Sequence, residues 1–321
     1  MDLLEFETTL NNWGHHRVPF LFLVDFEMKM PMAWRLADVP EKILFSINSF
    51  TNAALPSQAE KVQLVKYPAP LADYGRKFAH VKQSINLGDS YLTNLTVKTR
   101  IEIDRTLKDL FLASRAKYKF LWEEKFLVFS PETFVTMNDG TIRSFPMKGT
   151  IDASLPGAEK IILADEKEMS EHVTIVDLIR NDLSAVATNV RVVRFRYVEK
   201  IQTHQKNLLQ VSSEISGDLP DDYRTRLGSI LTALLPAGSI SGAPKKKTLK
   251  IIREAEGEPR GYYTGVVGYF DGTNLDSGVM IRFIEQNGSD FFYRSGGGIT
   301  AQSDVTREYQ EIIDKIYVPL H

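Results

Sequence analysis

Apolar residues recur along the chain in two interleaved rhythms. Helical spacing sets Tyr74, Phe78, Val81 and Ile85 on one stripe ahead of Gly88, and Leu107, Leu110 and Phe111 on a shorter one. The same spacing joins Leu227, Ile230, Leu231 and Leu234 before Pro236, and Leu249 with Ile252 before Gly257. Between these segments lie extended runs joined by pairs that accept the positive φ of tight turns. Asp139-Gly140 separates 126–137 from 141–145, Asp271-Gly272 follows 265–270, and Asn287-Gly288 separates 279–285 from 291–294. Hairpins and helices without a βαβ rhythm predict an α+β fold, with large antiparallel sheets and helices packed outside them. No repeat, low-complexity tract or long Pro/Gly/Ser linker divides the sequence, so a single domain over 1–321 is expected.

Composition narrows the classes of partner. With 43% hydrophobic and 25% charged residues, 321 residues can bury a sizeable core. Thirty-nine basic against 41 acidic side chains give a net charge of -2, which supplies no field for nucleic acid or an anionic membrane surface. The absence of cysteine excludes disulfides, thiolate metal sites and cysteine nucleophiles, and fits a reducing compartment. The N-terminus has no basic stretch followed by an apolar run, and the apolar run 19–24 is too short to span a bilayer. A cytoplasmic location without membrane attachment is the expectation.

Candidate chemistry comes from carboxylates and glycines. Glu168 and Glu171, followed by His172, lie nearly one helical turn apart, and so do Glu308 and Glu311, with Lys315 one turn further. An isolated Glu-x-x-Glu is ordinarily a solvated helix face. Two such sets, offering hard oxygen ligands from two helices, also suit Mg²⁺ whose shell is completed by water and an anionic substrate. Gly238-Ser-Ile-Ser-Gly-Ala-Pro-Lys245, with Ser241 and Gly242 at its centre, reads either as a helix-to-helix turn or as an anion cradle, with Pro244 in the first turn of the next helix. Gly296-Gly-Gly298, directly after the extended run 291–294, reads as a bulge or as a close approach of ligand or backbone. Lys148, in Pro146-Met-Lys-Gly-Thr150, is a surface charge or an amine nucleophile. Pro131 breaks an extended run and aims Glu132 toward a cleft, while Asp177-Leu-Ile-Arg-Asn-Asp182 reads as a buried polar network tying helix to sheet.

In this order the segments resemble the chorismate-utilising enzymes: anthranilate synthase component I, aminodeoxychorismate synthase component I, and the isochorismate and salicylate synthases. The matching stretches are Ser130-Pro-Glu132, Pro146-Met-Lys-Gly-Thr150, Lys167-Glu-Met-Ser-Glu-His172, the run from Asp177 to Leu183, the run from Gly238 to Lys245, Tyr263-Thr-Gly265, Gly296-Gly-Gly-Ile299, and Glu308-Tyr-Gln-Glu311 with Lys315. They span about 71–321, with 1–70 as an abbreviated N-terminal part. The resemblance implies an anthranilate synthase component I-like sandwich of antiparallel sheets. It also implies chorismate as substrate, and roles for individual residues. Glu132 becomes a general acid; Glu171 and Glu311 hold Mg²⁺, supported by Glu168 and Glu308. Tyr263, Arg282, Lys315, Ser241, Gly242 and the amides around Gly296 and Gly298 bind the substrate.

Lysine in the Pro-Met-Lys-Gly-Thr motif is similar to the aminodeoxychorismate synthases, where the other subfamilies typically carry alanine. Lys148 is thereby implied as a covalent nucleophile, with ammonia the incoming group. In the resemblance, Leu92 stands where isochorismate synthases carry the lysine that activates water. The resemblance breaks at three places. The N-terminal part is short, which puts a regulatory tryptophan pocket in doubt. The usual histidine before Ser-Gly-Asp-Leu219 is replaced by Gln210. No cysteine is present to serve a glutaminase, so ammonia is expected from another polypeptide, a separate glutaminase subunit, or from solution. Anthranilate synthase component I, and a catalytically idle subunit that binds chorismate or activates a glutaminase, stand as alternatives.

Overall fold

The computed structural model describes residues 1–54, 62–202 and 207–320. Their contacts form two compact units, each assembled from three separated stretches. The first comprises Met1–Asp38, Glu132–Ser239 and Val266–Gly278; the second comprises Val39–Pro131, Ile240–Gly265 and Val279–His321. Interleaving of this kind needs no linker, which is why the sequence offered none.

Each unit is built on a nine-stranded sheet with antiparallel registers. In the first, the strands follow the order Met147–Asp152, Asn207–Asp218, Thr141–Ser144, Thr133–Asn138, Leu275–Val279, Val266–Phe270, Phe20–Val24 and Met32–Arg35, with Thr188–Gln202 pairing on Asn207–Asp218. In the second, Gly242–Ala243, Leu92–Ile103, Asp290–Ile299, Phe283–Asn287, Phe126–Ser130, Tyr118–Trp122, Ile43–Ile47 and Phe50–Thr51 follow one another, with Leu64–Tyr67 on Leu92–Ile103. The α+β class with large antiparallel sheets is therefore as expected.

Local chemistry explains most elements. Asp139 and Gly140 take φ of 49° and 72°, closing a two-residue hairpin in which Thr141 faces Asn138. The extended run 126–137 is two strands, because Pro131 cannot donate to a ladder, and the halves join different sheets. The helix Leu71–Asn86 buries Tyr74, Phe78, Val81 and Ile85 against Leu95, Ile251, Ile299 and Ile312 in the second unit. The extended run 291–294 is longer than expected: the strand Asp290–Ile299 continues through the glycine run 296–298 with no bulge.

The first unit opens with a helix the apolar pattern did not single out, Leu3–His15, capped by Asp2 accepting from Glu5 N at 2.8 Å. It crosses the helix Leu227–Leu234 at two glycines. A Cβ on Gly228 would stand 2.2 Å from the Glu7 carbonyl oxygen, and one on Gly14 would stand 2.1 Å from that of Arg224. Ser229 and Thr232 hydroxyls donate to the Glu7 carboxylate across the same crossing, at 2.7 and 3.0 Å. Among the described residues no helix is long and apolar enough to cross a membrane.

Because the obstacle at Gly228 is backbone, Gly228→Ala should cost about 1–3 kcal/mol of stability. Gly75, mid-helix with open space where its Cβ would be, should gain about 0.4–1 kcal/mol as Gly75→Ala. Urea unfolding midpoints of the two variants test this; a Gly228→Ala midpoint at or above that of the unmodified chain would refute the crossing argument.

Candidate active site

Lys148 owes its placement to a slip in register. Thr141 lies opposite Asp218, Met147 opposite Ser212 and Lys148 opposite Val211, an unbroken series across Pro146. Thr150 then faces Gln210, so Gly149 is an extra residue, a bulge in the left-handed region at φ 77°. The bulge presents Lys148 to the helix Glu166–Ser184, which packs on this strand and its neighbours. Lys148 Nζ lies 3.5 Å from Glu171 Oε2, the two side chains being 24% and 9% exposed. Glu168 covers the bulge itself: a Cβ on Gly149 would meet Glu168 Oε2 at 3.2 Å.

The helix is held in register by its cap and by a buried histidine. Asp165 accepts from Glu168 N at 2.9 Å, fixing the first turn that carries Glu168. His172, 1% exposed, sits 2.7 Å through Nε2 from Ser213 Oγ, which also accepts from Arg196 N. Burial, with Arg196 and then Lys148 as nearby positive charges, lowers the His172 pKa to about 4, so its ring is neutral at neutral pH. Arg196 reaches on to the carbonyls of Ile162 and Leu163, tying down the short helix Ala158–Ala164. Ser213 and Arg196 were missed by the sequence reading, because a serine and an arginine on a strand carry no distinguishing spacing.

Glu132 follows Pro131 and lines a cavity of about 20 Å³, room for a water molecule, together with Ser144, Asp182, Gly238 and Ser239. The Ser239 hydroxyl donates to Glu132 Oε1 in a short hydrogen bond. Asp182 closes on Gly238, where a Cβ would stand 2.9 Å from Asp182 Oδ2. The expected buried network over Asp177–Asp182 is corrected here. Asp177 and Arg180 are exposed and pair with each other at 3.2 Å, since only every third or fourth helical residue can face the sheet, and it is Asp182 that turns inward.

In the second unit the glycine strand and the helix Val305–Asp314 form a second constellation. Gly296 lies opposite Thr96 and Gly298 opposite Asn94. Thr96 N donates to Glu256 and Asn94 N to the Ser241 carbonyl, so neither bonds the glycine strand. These are non-hydrogen-bonded pairs, and the N–H and C=O groups of Gly296 and Gly298 point to the other edge. Along that edge the strand Phe283–Asn287 starts only opposite Arg294. There Lys315 Nζ donates to the Gly296 carbonyl at 2.9 Å and pairs with Glu311 Oε1 at 2.7 Å. Glu308, 3% exposed, places Oε2 3.5 Å from where a Cβ on Gly297 would be.

Arg282 adopts φ 54°, and its carbonyl accepts from Phe129 N at 3.2 Å. Its guanidinium lies over the Tyr317 ring, 5.4 Å from the centroid. Tyr263 is buried edge-on against Phe283, and burial pushes its phenol up to about 12, so it stays protonated. Ser241 and Gly242 are woven into the sheet edge, with Gly242 pairing Thr93. Gly242 is required by backbone approach: at φ 135°, a Cβ would fall 1.9 Å from the Leu92 carbonyl oxygen. Pro244 is the cap before Lys245–Glu256 rather than a residue of its first turn. Leu92, 3% exposed, is a core side chain.

The carboxylate pairs have the donor chemistry of a hard divalent cation, and each already faces a lysine ammonium. Each helix contributes two carboxylates; no group of three or more His, Asp or Glu side chains placed to hold a metal occurs among the described residues.

The sequence matches the family of chorismate binding enzymes over residues 40–321. It is 49% identical over 323 residues to an uncharacterized PabA-like protein of Pasteurella multocida (strain Pm70), with 100% of both chains covered. It is 34% identical over 259 residues to aminodeoxychorismate synthase component 1 of Escherichia coli (strain K12), covering 76% of this chain and 56% of that one. The crystal structure of anthranilate synthase component I from Streptococcus pneumoniae TIGR4 is similar with a TM-score of 0.66 and 25% identity, over 81% of this chain and 59% of that one. With the family match spanning 40–321 and these site residues inside it, the chain belongs to the chorismate-binding, chorismate-utilising enzymes.

Proposed function

We propose that the chain is an aminodeoxychorismate synthase component I, converting chorismate and ammonia to 4-amino-4-deoxychorismate and water. The observation that carries this reading is Lys148, an amine set on a bulged strand and largely shielded from solvent. In the proposed course, Glu132 gives its proton to the C4 hydroxyl, which leaves as water while Lys148 Nζ, having released a proton to solvent, forms a bond to C2. Ammonia then bonds to C4, the C2–N bond to Lys148 breaks, and Lys148 leaves with its electron pair. Surplus protons pass to solvent, and Glu132 is reprotonated. Ser239 holds the Glu132 carboxyl in one orientation through its hydroxyl.

The four glutamates supply donors suited to Mg²⁺, with Glu171 and Glu311 as direct ligands and Glu168 and Glu308 supporting them. The ion would neutralise a substrate carboxylate when bound. Arg282, Lys315 and the amides of Gly296 and Gly298 are assigned to the substrate's carboxylates, while Tyr263 offers a phenol O–H as donor. Ammonia comes from a separate glutaminase subunit in this reading, and the PabA-like relatives are consistent with a place in such chemistry. The product would serve p-aminobenzoate and folate synthesis.

Three outcomes are expected. Lys148→Ala and Lys148→Arg should each lose 4-amino-4-deoxychorismate formation by about 100-fold or more, the scale of a positioned catalytic group. Residual chemistry in Lys148→Ala should shift toward a 2-amino product, identified by chromatography and mass spectrometry. An active Lys148→Arg variant with unchanged product would sink the nucleophile assignment, and a 2-amino product from the unmodified chain would favour anthranilate synthase. EDTA should abolish ammonium-dependent turnover and Mg²⁺ restore it, with Glu171→Gln and Glu311→Gln folded by circular dichroism yet inactive; full turnover in metal-free protein contradicts this. The purified chain should use ammonium chloride but not glutamine, and glutamine-dependent turnover by the chain alone would remove the need for a partner.

A further inference from the structure

Arg282 is expensive to place where it is. A non-glycine residue at φ 54° costs roughly 1–2 kcal/mol relative to ordinary backbone, so the surroundings must hold it there. They do so from both sides: the Arg282 carbonyl takes the Phe129 N–H, and Phe283 immediately enters the sheet opposite Arg294. The side chain thus leaves a fixed backbone point, but a long flexible arginine still has many rotamers to lose.

Tyr317 restricts them. Its backbone is anchored, since its carbonyl accepts from the hydroxyl of fully buried Tyr293 at 3.0 Å and its neighbour Ile316 is 0% exposed. The residue, in contrast, is 45% exposed, and its ring lies against the Arg282 guanidinium. Arg282 Nε donates to the Tyr317 hydroxyl over 3.4 Å. Among the described residues no hydrogen bond is made by Arg282 Nη1 or Nη2. A guanidinium can grip a carboxylate side-on, through Nε and one Nη, or end-on, through both Nη groups. With Nε engaged by the Tyr317 hydroxyl, the end-on fork is the one presented.

We propose that Tyr317 is a positioning residue: it orients Arg282 so that its Nη1/Nη2 fork meets a carboxylate of the substrate. The proposal rests on the reading above in which Arg282 takes a carboxylate, and adds the residue that sets how it does so. Tyr317 lies two residues beyond Lys315, so one C-terminal turn fixes both a lysine on the glycine strand and the direction of the arginine.

The test is chorismate binding to the full chain by isothermal titration calorimetry, without ammonia, for Tyr317→Ala, Tyr317→Phe, Arg282→Lys and the double variant Arg282→Lys/Tyr317→Ala. Tyr317→Ala should raise Kd by about 3–10-fold, the scale of a partly exposed cation–π contact, and Tyr317→Phe by less because the ring remains. Lysine has no fork to orient, so adding Tyr317→Ala to Arg282→Lys should cost nothing further. A merely structural tyrosine would cost the same in both backgrounds, and that result overturns the proposal. If Arg282→Lys weakens binding while both Tyr317 single variants match the unmodified chain, the proposal fails and the carboxylate reading stands. Unchanged Kd in Arg282→Lys overturns both.

Discussion

The second unit depends on one buried ion pair. Arg260 and Glu256 have side chains 1% and 3% exposed, a burial that costs several kcal/mol per ion unless every donor and acceptor is matched. Here they are matched. Arg260 Nε and Nη2 donate to the two Glu256 oxygens at 2.9 and 2.7 Å, Nη2 also to the Asn94 carbonyl at 2.7 Å, and Nη1 to the Ile240 carbonyl at 2.8 Å. Glu256 Oε1 further accepts from Thr96 N at 2.9 Å. The pair therefore ties the end of the helix Lys245–Glu256 to the strand Leu92–Ile103 and to the chain entering Ser241. Removing either partner would leave a charge stranded in the interior.

Its consequence reaches the glycine strand. By occupying the Asn94 carbonyl and the Thr96 amide, the ion pair claims backbone groups on the side of their strand away from the glycines. Alternation along an antiparallel ladder then dictates that Gly296 and Gly298 direct their own groups outward, to the edge where Lys315 arrives. The direction in which those amides face is thus set by a salt bridge that touches none of them.

Much of this was legible in the sequence, and the failures have physical reasons. Hairpin turns announced themselves because Asp139, Gly140 and Gly288 answer a local demand for positive φ. The stripe from Tyr74 to Ile85 was legible because a helix face is a local property. The continuation of the strand beyond 294 was not legible because the glycines lack side chains to show alternation, while the pairing that makes them a strand comes from residues 94–97, far away in sequence. The Gly149 bulge was hidden for a related reason: a register slip is a relation between two strands. Asp177 and Arg180 look like a network in sequence but lie on the solvent face of their helix. Tyr317 has no motif around it, and its relation to Arg282 arises only through folding. The site residue types were recognisable as a set because the family resemblance gathered them, whereas their spacing alone left each with an ordinary alternative.

The two units arrive at one local solution twice. In each, a helix presents glutamates three residues apart to a strand bearing a glycine. The first glutamate, Glu168 or Glu308, lies over the glycine, where a Cβ would stand 3.2 or 3.5 Å from its oxygen. The second, Glu171 or Glu311, faces a lysine at 3.5 or 2.7 Å. The glycine permits a carboxylate to sit close to the strand, and the lysine offsets its charge. The environments differ in a way that matters energetically. Glu311 is 50% exposed, so solvent screens its short contact with Lys315, whereas Glu171 is 9% exposed and its longer contact with Lys148 acts in a lower dielectric. Shortness and strength therefore need not rank these pairs in the same order. The lysine assigned to covalent chemistry is the one whose carboxylate partner is buried, so their contact is the less screened of the two.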